Sequence, residues 1–128
     1  VSLQDEIYFI QNKIIKDLAE KGSCVIVGRC ADYALSEYKD CFSVFVHADT
    51  DWRINRLSQK HNKTAKEAKD MINKTDKSRS SYYNYYTNKK WGAASSYNLC
   101  VDSSKLGIDG AAKAIIQAIE IFDSIKNK

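Results

Sequence analysis

Proline is absent from the 128 residues, and glycine occurs only five times. A chain without the main helix-breaking residue favours long uninterrupted helices, and so little glycine excludes collagen-like and low-complexity sequence. No run approaches the roughly 18 apolar residues of a membrane-spanning helix. The opening VSLQDEIYFI carries acids where a secretory leader has a basic stretch, so a cytoplasmic protein with no membrane partner is expected. The four cysteines, Cys24, Cys30, Cys41 and Cys100, contain no CxxC pair, and His47 and His61 are too scattered to complete a metal centre with them. They read as small buried hydrophobes in a reducing compartment, and no metal ligand is expected. Also lacking is GxxxxGK followed by Ser or Thr, the loop whose backbone N–H groups and lysine hold a triphosphate. Gly22 and Gly28 are six apart, but they bracket an apolar run and no lysine follows.

What is present suffices for one core. With 44% hydrophobic residues the chain can bury one interior and leaves too little for a second, which predicts a single domain over residues 1–128. The net charge of +4 is modest, but its placement is not even. Residues 60–90 hold nine basic against three acidic side chains, a surplus of six, so the remainder carries a net −2. Such a segment suits either a surface facing a polyanion or a solvated helix face. Arginine is scarcer and more confined: Arg29, Arg53, Arg56 and Arg79 are the only four among 20 basic residues. A guanidinium presents a fixed fork that matches two oxygens of a phosphate or carboxylate, so arginine restricted to three short segments points to anion recognition.

Periodicity supplies the elements. Ser2 with Asp5 resembles a capping box, and Leu3, Ile7, Ile10, Ile14 and Leu18 form a helical stripe ending at Gly22. The runs CVIVG (24–28), FSVFVH (42–47) and LCV (99–101) read as strands covered on both faces. Asp49 or Thr50 can cap a helix bearing Trp52, Ile54 and Leu57; Thr64 with Glu67 opens a long polar helix to about residue 88. From Asp109 onward, Ala112, Ile115, Ile116, Ile119, Phe122 and Ile125 mark a terminal amphipathic helix. The alternation predicts an α/β domain, a parallel sheet with flanking helices. Three strands make a small sheet, and the first helix has no strand before it. Either a strand lies outside this sequence or the domain completes itself with a partner, which leaves a homo-oligomer open.

In open α/β sheets, ligands bind at the carboxyl ends of the strands. Gly28 and Arg29 follow the first run; they suit either a backbone turn with a guanidinium aimed at an anion, or a strand end with a surface arginine. Arg53 and Arg56, three apart on one helix, can reach one anionic group. Asp76 and Arg79 share that spacing, and form either a helical ion pair or an acceptor for a sugar hydroxyl beside a phosphate ligand. The cluster Tyr82, Tyr83, Tyr85, Tyr86 and Trp91, next to Lys89 and Lys90, suits base stacking or core packing.

Taken together, VIVGRCADY, VFVHADTDWRINRL, DKSR and NLCVDSS, followed by the terminal helix, resemble the cytidylate kinase-like family of P-loop nucleoside monophosphate kinases, over about residues 20 to 122. The resemblance implies an incomplete P-loop NTPase-like fold with a helical lid over about 52–90. It implies that Gly28 and Arg29 match the family's GRD segment, whose arginine binds the monophosphate, with Cys30 replacing the aspartate. Arg53 and Arg56 become phosphate-facing lid residues with a catalytic role. Asp76 and Arg79 match the second half of the RDxxDxxR pattern that touches the acceptor's sugar and phosphate, whereas Ile72 and Asn73 stand in place of its first arginine and aspartate. The family's opening strand, phosphate loop and acceptor-binding helices are expected ahead of Val1. The implied activity is transfer of the γ-phosphoryl of ATP, with Mg2+, to a nucleoside monophosphate, CMP first among acceptors. Two rival readings remain: a nucleotide-binding module without catalysis, and a binder of single-stranded nucleic acid, the latter less favoured.

Overall fold

The computed structural model describes residues 2–126, and its contacts part the chain into two units, one ending at Cys41 and the other starting at Phe42. In the first unit, the Ser2 hydroxyl accepts from the Asp5 N–H at 3.1 Å and starts α1 (Leu3–Lys21), with Gly22 as its C-cap. A short helix α2 (Ala31–Ala34) packs with it through Ile15, Ala31, Ala34 and Leu35, flanked by Ala19, Ile26, Tyr38 and Cys41. The inward face of α1 is therefore the Tyr8, Ile15 and Ala19 side, and the stripe Leu3, Ile7, Ile10, Ile14 and Leu18 is exposed.

The run at 24–28 forms no strand, contrary to the expectation from its composition: the sheet has two strands, and Val25 and Val27 are 93% and 88% exposed. Apolar, β-branched residues fit a pleated surface, but a strand exists only where a neighbour accepts its ladder bonds. Instead the chain turns through three consecutive left-handed residues, Gly28 (φ 72°), Arg29 (57°) and Cys30 (56°). Only the first lacks a Cβ to resist this conformation, and such strain concentrates where function requires it.

The second unit holds the sheet. Strands β1 (Val44–His47) and β2 (Leu99–Asp102) run parallel with Val44 opposite Leu99 and His47 opposite Asp102. Their lower ends are clamped by Asn98, whose Oδ1 accepts from both the N–H and the hydroxyl of Ser43 at 2.8 and 3.0 Å. Only Val101 is buried among the eight strand residues, so the expected coverage of both faces is incomplete: Val46 and His47 are exposed. Between the strands, α3 (Thr50–His61) and α4 (Ala65–Thr87) form a helical hairpin. Asn62 closes α3 in the left-handed conformation, and two residues later Thr64 and Glu67 make the anticipated reciprocal capping box. After β2 comes α5 (Ser103–Lys126), kinked at Gly107 (φ 74°), whose main body starts near the expected Asp109. A side chain there would carry the Cβ penalty that glycine avoids. Helix α5 packs on the sheet through an inward face that includes Ala111, and Phe122 meets Phe42 at 5.2 Å.

The result is a mixed α/β fold, a small parallel sheet with flanking helices. Among the described residues no helix is long and apolar enough to cross a membrane.

Candidate functional site

On α4 the buried side chains Ala68, Ile72, Tyr83 and Thr87 fall on one stripe. Steps of four and three residues along that stripe pass through positions 76 and 79, so Asp76 and Arg79 occupy the inward face of the helix, between its apolar ends. On α3, Trp52, Arg53, Arg56 and Leu57 likewise share a face. The hairpin turns the two faces toward each other near the carboxyl ends of β1 and β2. Between them lies a cavity of about 660 Å³ whose lining includes Phe45, His47, Trp52, Arg53, Arg56, Asp76, Arg79 and Trp91. It sits at the strand tips, where a parallel sheet directs its binding sites.

The strongest polar contact in the cavity is between helices. Arg53 donates from Nη1 to Asp76 Oδ2 and from Nη2 to Asp76 Oδ1, each at 2.7 Å, with both side chains about 30% exposed. Short, parallel, charge-assisted bonds of this kind hold a geometry as well as a charge. The hydrogen bonding to Asp76 raises the Arg53 pKa further above its already high ordinary value, so the guanidinium is permanently charged. Among the described residues Asp76 is the only carboxylate in the lining, and Arg53 takes both its oxygens. Arg56 lies over the Trp52 ring, 5.7 Å from its centre, a cation–π contact that leaves its N–H groups available. Among the described residues Arg79 has no ion pair. Three guanidinium groups and one neutralised acid leave the cavity with two uncompensated positive charges.

Trp91 reaches the cavity on a loop fixed by local hydrogen bonds. Asn84 Oδ1 accepts from the Trp91 N–H at 2.8 Å, Ser96 donates to the Lys90 carbonyl at 2.9 Å, and the Gly92 N–H donates to the Tyr97 hydroxyl at 3.2 Å. Phe45 meets Trp91 edge to face at 5.2 Å and stacks on Tyr97 at 4.8 Å. At the tips of the strands the Asp49 N–H donates to Ser104 Oγ, which donates in turn to Asp102 Oδ1 at 2.5 Å. That hydroxyl bond, joined by the Ser104 N–H, holds the Asp102 carboxyl below its ordinary pKa.

Of the residues expected from sequence, the structure brings Arg53, Arg56, Asp76 and Arg79 into one cavity. Gly28 and Arg29 belong to the first unit, within its left-handed turn. There Cys30 is buried, and burial pushes its thiol up to about 11, so it is a neutral group at physiological pH. Ile72, where the family pattern has arginine, is 3% exposed, and Asn73 points to solvent. The tyrosines divide: Tyr83 is buried and stacks on Tyr97, Tyr82 packs on Tyr86, and Tyr85 is 70% exposed. Phe45 and Trp52 were not foreseen as site residues. For Trp52 the signal in the sequence was present, since it precedes Arg53 directly and lies four residues, one helical turn, before Arg56.

A divalent cation does not fit this cavity, because its single carboxylate is already paired. Among the described residues no group of three or more His, Cys, Asp or Glu is placed to hold a metal ion.

No curated protein matches the chain. Among solved structures it is similar to an uncharacterized protein from Eubacterium ventriosum ATCC 27560, with 35% identity and a TM-score of 0.88, over 93% of this chain and 68% of that one. The model of the cytidylate kinase-like family matches residues 1–105, which span both the left-handed turn and the arginine-lined cavity, and the chain belongs to that family.

Proposed function

We propose that this kinase-like domain binds nucleotide phosphates in the α3–α4 cavity and takes part in phosphoryl transfer from ATP to a nucleoside monophosphate, CMP being the first acceptor to test. The observation that carries this reading is the convergence of Arg53, Arg56 and Arg79 with two tryptophans in one cavity at the strand tips. Two uncompensated guanidiniums match the charge of about −1.5 to −2 on a phosphate monoester near neutral pH. In transfer chemistry their part is positional and electrostatic: guanidinium donors beside aromatic side chains stabilise charge that spreads over the moving phosphoryl oxygens. Arg29 is proposed as an acceptor-phosphate ligand from its match to the family's GRD segment, and Arg79 as a phosphate ligand of the α3–α4 cavity. The test is turnover of ATP with a panel of CMP, UMP, AMP and GMP by the full-length protein. Nucleoside diphosphate formed from at least one acceptor supports the proposal.

A second reading is favoured by Cys30. The family's aspartate can accept hydrogen bonds at neutral pH, whereas a buried thiol with a pKa near 11 remains protonated and is a poor acceptor. A nucleotide-binding module without catalysis would bind CMP and form no diphosphate with any acceptor in the panel.

A further inference from the structure

We infer that Asp76 is a positioning residue, which holds Arg53 in the orientation that receives phosphate oxygens; this rests on the reading of the cavity as a phosphate site. The pair joins positions 23 residues apart on opposite arms of the hairpin, with two equal contacts of 2.7 Å. A guanidinium has five N–H donors, and a fork onto one carboxylate uses two of them. Three remain, including the one on Nε. They stand on a side chain whose torsions are already fixed before any anion arrives.

The neighbouring guanidiniums are held differently. Arg56 leans on the Trp52 ring, and Arg79 has no ion pair among the described residues. Asp76 therefore costs the cavity one positive charge and gives it one fixed donor group. These two effects have opposite signs. Removing a negative charge beside an anion site tightens anion binding if Coulomb attraction alone decides. Releasing an immobilised arginine makes the anion restrict it again, a loss of about three- to tenfold in affinity. The short bidentate geometry places Asp76 in the second regime.

The probe that separates these effects is inorganic pyrophosphate, because it carries no sugar and so is blind to any contact between Asp76 and a ribose hydroxyl. Its affinity for the full-length protein is read from tryptophan fluorescence, since both tryptophans of the chain line this cavity. Asp76→Asn is expected to bind pyrophosphate three- to tenfold more weakly than the wild type, with the helical circular dichroism signal retained. In the Arg53→Ala background, the same Asp76→Asn change is expected to weaken binding no further. Should Asp76→Asn fail to fold, Asp76→Glu supplies the measurement: it keeps both charges and Arg53 itself but displaces the fork, and is expected to show the same weakening. Unchanged or tighter binding by the folded variant overturns the inference while the phosphate site stands. Failure of the wild type to bind pyrophosphate removes the phosphate-site reading and this inference together.

Discussion

Replacing Ile72 by alanine tests whether the hairpin that presents the arginines is packed as described. Ile72 is 3% exposed on the inward stripe of α4, beside the fully buried Ala68, and it lines the cavity. The change deletes three carbons from this site. At about 0.8 kcal/mol per buried methylene the transfer loss is roughly 2.4 kcal/mol. The void left behind raises the expected cost to about 3 kcal/mol, within the range of roughly 2–5 kcal/mol for such truncations. For a chain of this length that corresponds to a fall in melting temperature of about 10 °C. Urea unfolding followed by tryptophan fluorescence is the assay, because Trp52 and Trp91 both lie in the unit that contains Ile72. Thr64→Ala, which removes one half of the capping box, serves as a smaller reference at about 1 kcal/mol. The exposed neighbour Asn73→Ala should remain within about 0.5 kcal/mol of the wild type. An Ile72→Ala cost no larger than that of Asn73→Ala would show that α4 does not bury this face, and the convergence of Asp76 and Arg79 with the α3 arginines would lose its basis.

Three further outcomes are expected. Iodoacetamide at pH 7.5 should label the exposed Cys24 and spare the buried, protonated Cys30 until denaturant is added; peptide mass mapping that finds Cys30 modified as fast as Cys24 would contradict its burial. Ser104→Ala should let the Asp102 carboxyl return toward its ordinary pKa of 3.8, as followed by carboxyl NMR. Because the folded value is depressed, the bond stabilises the protein above pH 3.8, and the gap between wild type and variant should close as pH falls through the folded value; a gap independent of pH would refute this. If turnover is found, Arg29→Ala should raise the acceptor KM or lower kcat about tenfold or more, the loss of one charged phosphate contact. Unchanged kinetics would remove Arg29 from the acceptor site.

Local chemistry was legible where the determinants lie close together in the chain. Thr64 and Glu67 marked the start of α4 because a capping box is complete within four residues, and the apolar runs ending at His47 and beginning at Leu99 became the two strands. The run at 24–28 has an equally suitable composition and forms no strand. Its residues state a preference for a pleated surface, whereas pairing depends on a neighbour. In α1 the apolar stripe was correctly read as helical, but the inward side proved to be that of Tyr8 and Ile15, since partners choose the buried face. The same limit applies to the cavity. Spacing showed that Arg53 and Arg56 share a face, as do Asp76 and Arg79. The fork between Arg53 and Asp76 depends on where the turn at Asn62 brings the second arm, which no local pattern encodes. Trp52 read as an apolar helix residue, and Trp91 suited base stacking or core packing equally, because an aromatic side chain has the same pattern whether it packs inside or lines a cavity.

The proposed phosphate binding in the α3–α4 cavity depends on its guanidinium groups. Titration of the full-length protein with CMP, followed by fluorescence of Trp52 and Trp91, tests it most directly. A saturable change is expected, with a dissociation constant that rises about tenfold or more in Arg79→Ala, and similarly in Arg56→Ala. A wild-type signal that does not respond to CMP, or an affinity indifferent to both substitutions, would contradict it.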